Sequence, residues 1–420
     1  MTDACGPNIF VTEEERQIVD GFMGFLESEI MPIQRALGPM ISDQRLYYLP
    51  DGKEAPEITE AKRATRMAAA KAGYYSMFNP VELGGAGLGI RLYFLCHYAS
   101  ARKYGAPLLT QMPFFALSSF SSGPHEVWLH ASDALRAEVF APIASGERHG
   151  AFGLTEPDAG SDAYGMKTTA RRDGGDWIIN GMKQWTSWSP TADYVIVYAI
   201  TNKDLFNARA GGISCFYVPT DAPGFKVESV LRIFGHVGGN EGILSFTDVR
   251  IPDYYRIGEV DRGLSLALSG VQHGRMNHIS RSLGLSDWAL AKATDYAKIR
   301  KTFGKTISEH QTIQNYLAEC AVKLYSGYAM AMDCATRLDR GDNVRGEVSM
   351  AKVYSTNVAY EIVDTCIQIH GGVGISNESH LWEGLEELRL MRIAEGTTEI
   401  QKRTVAKELL ADRLSFYRDF

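Results

Sequence analysis

Between Trp177 and Val249 the apolar residues change their period, and that change limits the fold more than any other feature. Trp177-Ile-Ile179, Tyr194-Val-Ile-Val-Tyr198, Ile213-Ser-Cys-Phe-Tyr-Val218 and Ile243-Leu-Ser-Phe-Thr-Asp-Val249 are short apolar or alternating runs separated by Gly, Asp, Asn and Pro. Such runs predict strands in a predominantly antiparallel sheet. No βαβ spacing and no glycine fingerprint after a strand accompanies them, so a doubly wound dinucleotide fold is disfavoured. On either side the period is helical. Thr12 with Glu15 predicts a capping box, followed by Ile18, Val19, Phe22, Phe25 and Leu26 on one side of a helix. Helical character continues in 57–77 and 90–105. Beyond Pro252 it returns from Gly263, with Met276, Ile279, Leu283, Trp288, Leu290, Ala293, Tyr296 and Ile299 on the apolar side of one long segment. The broad apolar coverage of 313–338 and 348–369 predicts a bundle interior. The expected class is α+β, with an N-terminal helical domain over 1–148, a middle β domain over 149–260 and a C-terminal helical bundle over 261–420.

A chain of 420 residues with 45% hydrophobic content can bury a sizeable core. Its 43 basic and 50 acidic side chains give a formal charge of −7, and no long Lys/Arg block occurs. That balance gives no footprint for nucleic acid, although a local basic pocket for one phosphorylated cofactor is compatible with it. Cys5, Cys96, Cys215, Cys320, Cys334 and Cys366 form no CxxC pair, so reduced thiols are expected and a structural zinc site is not. The polar start, MTDACGPNIFVTEEE, lacks the basic and apolar segments of an export signal, and no stretch reaches the length of a membrane span. A cytoplasmic location is the expectation.

Two polar stretches carry candidate chemistry. Leu154-Thr-Glu-Pro-Asp-Ala-Gly-Ser-Asp162 offers hydroxyls and acids in a glycine-bearing turn. It can hold a polar ring edge or a phosphate, or serve only as a capped turn. Trp185 and Ser187 follow in Asn180-Gly-Met-Lys-Gln-Trp-Thr-Ser187, where an aromatic face serves a cofactor or a core. Far along the chain, Met391-Arg-Ile-Ala-Glu-Gly-Thr-Thr-Glu-Ile-Gln401 sets Glu395 in a small-residue turn between predicted helices. Glu395 there is either a base or a helix N-terminal acid. The ten histidines include no HExxH, and a metal-hydrolase site is not supported.

The order of five blocks is specific: GLTEPDAGSD, GGDWIINGMKQW, Tyr296-Ala-Lys-Ile-Arg-Lys-Thr-Phe-Gly-Lys305, Gln368-Ile-His-Gly-Gly-Val-Gly374 and Ala394-Glu-Gly-Thr397. Over nearly its full length the chain resembles the flavin-dependent acyl-CoA dehydrogenase family. The resemblance implies N-terminal helices, a β-barrel-like middle domain and a C-terminal four-helix bundle. It also implies FAD between the middle and C-terminal domains, completed by a neighbouring subunit of a homotetramer or homodimer. Thr155 matches the hydroxyl beside the flavin pyrimidine edge, Trp185 the aromatic flank of the ring, and Ser187 a more usual threonine near flavin N5. Arg300 and Phe303 match residues reaching FAD across an interface, and Gln311 lies in the adjoining segment. Gln368 and Gly372 match the loop on the ADP portion, and Thr397 a contact to the cofactor phosphates. Ser161 and Arg275 match positions near the CoA pantetheine arm.

Glu395 matches the family's base. The implied reaction removes an α-proton to Glu395 and passes a hydride from Cβ to flavin N5, giving a trans-2-enoyl-CoA. Developing enolate charge is received by the Glu395 N–H and a flavin ribityl hydroxyl. Burial is expected to raise the carboxyl pKa. Glu399 is not expected to be the base. Gln272 stands where many members have Asp. Gly274 departs from the alternative glutamate base of some members. Ala394 replaces an aromatic residue, which could enlarge the acyl pocket or be offset by Trp188 or Tyr164. Electron-transfer flavoprotein is the expected acceptor in fatty acid metabolism. An acyl-CoA oxidase, or another flavin-dependent reaction on this scaffold, is the alternative.

Overall fold

The computed structural model of the protein describes residues 11–107, 110–119 and 122–414, with the side chains of 269–272 outside that description. The sequence readings that fall on Cys5, on residues 1–10 and on the Gln272 side chain therefore lie outside the described residues. In chain order, helices α1 (Glu13–Phe25), α2 (Met31–Ala36), α3 (Gln44–Tyr47), α4 (Pro56–Lys71), α5 (Ile90–Tyr104) and α6 (Asp133–Ala144) come first. Strands β1 (Gly150–Gly153), β2 (Thr169–Asp173), β3 (Asp176–Ser187), β4 (Tyr194–Ile200), β5 (Ile213–Pro219), β6 (Phe225–Leu231), β7 (Glu241–Pro252) and β8 (Arg256–Ile257) follow, with a short helix α7 (Lys203–Asn207) after β4. The C-terminal helices are α8 (Gly263–Ile299), α9 (Gln311–Asp339), α10 (Arg345–His370), α11 (Leu381–Met391) and α12 (Thr398–Leu410). A hairpin of β9 (Lys301–Thr302) and β10 (Lys305–Thr306) separates α8 from α9.

Two compact units result, one comprising Ser28–Gly87 and Phe115–Val271, the other Met1–Glu27, Leu88–Phe114 and Gln272–Phe420. The first holds the sheet, whose order is β6-β7-β3-β2-β4-β5-β8, with β1 beside β4. Most pairings are antiparallel, as the runs between Trp177 and Val249 predict. The parallel pairing of β1 with β4 was not legible in the sequence. Strand β4 is buried along its whole length, and its alternation sends Tyr194, Ile196, Tyr198 and Ile200 to one cluster and Val195, Val197 and Ala199 to another. The second cluster also contains Trp177, Ile179, Val249 and Ile251 from the far half of the strand order. One apolar cluster therefore runs across the sheet from β7 to β5.

The loop after β1 is fixed from beneath. The ammonium of Lys183, fully buried on β3, donates to Glu156 Oε1 at 2.8 Å and to Leu154 O at 3.1 Å. Glu156 also accepts from the N–H groups of Lys167 (2.5 Å) and Thr168 (3.0 Å). Burial pushes the Glu156 carboxyl up, but the Lys183 charge and these hydrogen bonds outweigh it and hold the group below the usual carboxylate range.

In the other unit the Thr12 capping box forms as expected: Thr12 N–H donates to Glu15 Oε2 (2.8 Å) and Glu15 N–H to Thr12 Oγ1 (3.2 Å). Glu15 is also gripped by Arg91 at 2.7 and 3.0 Å, which ties α1 to the start of α5. The α5 N-terminus is capped by Asp339, which accepts from the N–H groups of Ile90 (2.5 Å) and Arg91 (3.1 Å). Helix α10 is central here, packing on α9, α11 and α12. Gly327 on α9 lets Leu283 of α8 and Ser355 of α10 approach, since a Cβ there would stand 2.8 Å and 3.3 Å from their side chains.

Lys183→Met would leave a buried carboxylate facing only neutral donors, and breaking such a pair costs about 3 kcal/mol. Chemical denaturation should show that loss, and Glu156→Leu with Lys183→Met together should lose less than Lys183→Met alone if the unpaired charge is the cause.

Candidate active site

Three of the residues singled out in the sequence sit in left-handed backbone: Trp185 (φ 58°), Phe303 (φ 49°) and Glu395 (φ 55°). Non-glycine residues enter that region at a cost, and such strain concentrates at functional sites. Each has a local cause. At Trp185 the pairing of β3 with β7 slips between Lys183 and Thr186, and the bulge turns the indole outward until it is 50% exposed. Gln184 N–H donates to Thr155 O at 2.9 Å, which brings the 154–162 loop beside that bulge. Thr155 and Ser187 are partly exposed near it, while Ser161 lies exposed further along the loop.

Phe303 and Gly304 (φ 83°) are the two central residues of the β9–β10 hairpin, the conformation of a type I′ turn. The turn leaves the Phe303 ring 97% exposed, with Arg300 exposed just before it. Gln311 opens α9, also exposed. At the end of α10 Gly371 (φ 60°) stops the helix, with Gln368 in the last turn and Gly372 beyond it, both exposed. The C-cap reading of this motif holds locally.

Glu395 lies in the turn between α11 and α12. Thr397 caps α12 through its hydroxyl, which accepts from Ile400 N–H at 3.3 Å. Lys352, a nearly fully buried residue of α10, donates to the carbonyls on both sides of the glutamate, Ala394 O and Gly396 O, the latter at 2.9 Å. Buried Gln401 of α12 donates to Glu395 O (3.2 Å) and Gly396 O (3.1 Å). Four hydrogen bonds from two helices thus hold three consecutive carbonyls.

The carboxylate itself faces α8. A Cβ at Gly274 would stand 3.0 Å from Glu395 Cδ and 3.1 and 3.3 Å from its two oxygens, so the missing side chain is what leaves room for the acid. Burial pushes the Glu395 carboxyl up; the charges of Lys352, Arg275 and Arg281 offset part of that, and it stays above the ordinary carboxylate value. Burial also lowers Lys352, against the pull of Glu395, and takes Arg275 down to about 10. Glu399, by contrast, is exposed on the first turn of α12 and held low by local hydrogen bonds.

Lys352, Gln401 and Arg281 are the residues that the sequence reading passed over. A cation at 352 beside Ala351, Ser355 and Ala359 on a buried stripe was the available signal. Trp188 and Tyr164 are engaged within the sheet-containing unit. Trp188 packs edge-on to Phe115 (5.2 Å), with the Lys62 ammonium 4.7 Å from its ring, and Tyr164 packs on Phe206 (5.4 Å).

Comparison with known proteins decides the family. The model of the acyl-CoA dehydrogenase middle domain matches residues 151–249 and that of the C-terminal domain 261–410. The human mitochondrial short-chain specific acyl-CoA dehydrogenase is 33% identical over 80% of this chain and 80% of that protein. The chain belongs to the acyl-CoA dehydrogenase family. It is thus an FAD-dependent oxidoreductase on the acyl-CoA dehydrogenase fold, with N-terminal helices, a central sheet and C-terminal helices. Another relative, the caffeyl-CoA reductase-Etf complex subunit CarC of Acetobacterium woodii, is 33% identical over 81% of this chain and 88% of its own length. A solved glutaryl-CoA dehydrogenase from Mycobacterium smegmatis in complex with FADH2 superposes with a TM-score of 0.79 at 26% identity, covering 97% of this chain and 96% of that one. Among the described residues no helix is long and apolar enough to cross a membrane.

Removing the Lys352 charge should make Glu395 harder to ionise. In Lys352→Met the acid limb of the kcat–pH profile should move up by about one pH unit, so that activity falls more at neutral than at alkaline pH. A uniform loss with an unmoved limb would assign Lys352 a purely structural part.

Proposed function

We propose that this dehydrogenase oxidises an acyl-CoA thioester to the trans-2-enoyl-CoA, with Glu395 as the base that takes the α-proton. The observation that carries this reading is the Glu395 turn: a carboxylate kept more basic than usual by burial, opposite a glycine, in a backbone that Lys352 and Gln401 hold from behind. A base of raised pKa retains driving force for a weakly acidic α-C–H, while the nearby cations keep enough of it ionised to react. Because Lys352 and Gln401 occupy the carbonyls of residues 394–396, the turn can present the Glu395 N–H to the thioester oxygen as negative charge develops there. Arg275, one residue beyond Gly274 on α8, is the proposed guide for the CoA arm, together with Ser161.

Bound FAD supplies the acceptor for the hydride equivalent leaving Cβ. The residues present fit such a group. Trp185 offers a half-exposed indole on a bulge with the hydroxyls of Thr155 and Ser187 near it, and Arg300 offers an exposed guanidinium for phosphate three residues before the exposed Phe303 ring. Gln311, Gln368, Gly372 and Thr397 complete the proposed cofactor set. The exposure of Phe303 supports completion of that site by a second copy in a homodimer or homotetramer. Electron-transfer flavoprotein is the proposed electron partner, and the likeness to a subunit of a reductase-Etf complex supports it. The same likeness favours a second direction, in which Glu395 returns a proton to Cα while an enoyl-CoA is reduced.

Anaerobic mixing of the FAD-bound protein with straight, branched, cyclic and aromatic acyl-CoAs should bleach the flavin with one class, and Glu395→Gln should slow that bleaching by roughly a thousandfold or more, the scale of losing a positioned base. Bleaching at an undiminished rate in the variant would remove Glu395 from the role. Reoxidation of the reduced enzyme by the matching enoyl-CoA measures the reverse direction.

A further inference from the structure

Arg281 is a buried arginine with no hydrogen-bonded oxygen among the described residues. Only 6% of it is exposed, and burial lowers its pKa. Its Nη2 meets Met391 Sδ at 3.5 Å, its guanidinium lies 5.0 Å from the centroid of the Phe114 ring, and its Nε has no acceptor among the described residues. A thioether and an aromatic face are weak partners for a group with five donors. The opposite charges it feels, Glu387 and Glu395, act on it through space. Leaving a guanidinium so poorly satisfied inside a protein is costly, and a protein recovers that cost when a ligand brings the missing acceptor.

Its place in the fold says which ligand. Gly274, which faces the Glu395 carboxylate, His278 and Arg281 stand at i, i+4 and i+7 and so share one face of α8, two turns or about 10 Å from end to end. Side chains on a helix lean toward its N-terminus, which brings the Arg281 guanidinium back toward the Gly274 level. Met391, the residue it touches, lies four positions before Glu395. His278 between them is held neutral, because burial and the charges of Lys352 and Arg281 all disfavour its protonation.

We infer that Arg281 selects acyl-CoA substrates whose acyl group carries an oxygen acceptor at its far end, with Cα at Glu395 and the acceptor at the guanidinium that leans back from Arg281 along the same face of α8. This rests on the proposed α-proton abstraction by Glu395. The shared chemistry is an oxygen that accepts from a guanidinium, whether a terminal carboxylate or a ring hydroxyl. A plain hydrocarbon chain would leave the charge buried and unsatisfied.

The test uses FAD-bound Glu395→Gln protein, which should bind without turning over, and isothermal titration with two matched pairs: glutaryl-CoA against hexanoyl-CoA, and 3-(4-hydroxyphenyl)propionyl-CoA against 3-phenylpropionyl-CoA. With Arg281 present, the oxygenated member of at least one pair should bind tenfold or more tightly than its partner, and the pair that responds tells carboxylate from hydroxyl. Adding Arg281→Met should reduce the preference to under twofold while the hydrocarbon members keep their affinity; Arg281→Gln carries the same comparison if the methionine variant loses its flavin. Equal binding within both pairs, or a preference that survives loss of the guanidinium, overturns the inference. If butyryl-CoA and all four members of the two pairs neither bind nor bleach the flavin of the unmodified enzyme, the proposed dehydrogenation falls as well. If they do both and no preference is seen, only the Arg281 assignment falls.

Discussion

Lys352 is the contact on which the candidate site turns. A buried ammonium needs acceptors, and the obvious one is the carboxylate of Glu395, whose charge it feels. Instead its hydrogen bonds go to the main-chain oxygens of Ala394 and Gly396. The cation therefore holds the turn and lends its field to the acid without taking up the acid's own lone pairs. Gln401 does the neutral half of the same job from α12. An arrangement in which lysine paired directly with the carboxylate would be better satisfied and chemically inert.

The sheet-containing unit uses a related device for a different end. Lys183 and Glu156 meet directly, and the glutamate also collects two main-chain N–H groups. Here the pair is structural, fixing the loop that carries Thr155 beside the bulge that exposes Trp185. Of the three acids in that loop, Glu156 is the buried one, whereas Asp158 and Asp162 pair with Lys167 and Arg209 at the surface. Coulomb attraction between such exposed pairs adds little.

Much of the architecture was legible in the sequence because it follows from local period. The runs at 194–198 and 213–218 alternate against two apolar clusters, and Thr12 with Glu15 closes its capping box, so pattern and structure agree residue by residue. The parallel partnership of β1 with β4 was not legible, since four residues of Gly-Ala-Phe-Gly carry no record of which neighbour they join. At the candidate site the residue types could be picked out, and the family resemblance supplied the roles proposed for them. The support behind them could not: Lys352 lies 43 positions before Glu395, and nothing in a one-dimensional string says that a lysine will turn to carbonyls rather than to an acid. Arg281 was invisible for the same reason. Its interest lies in the oxygen acceptor that no described residue gives it.

The left-handed backbone at Trp185, Phe303 and Glu395 sets stability against use at these positions. Glycine, or asparagine more weakly, would sit in each of those conformations with less strain. Selection for thermal tolerance alone would thus drift toward replacing an indole, a phenyl ring and a carboxylate with nothing at all, and would gain backbone comfort at each step. A directed-evolution programme on this scaffold should hold those three positions fixed and look for its stabilising changes elsewhere.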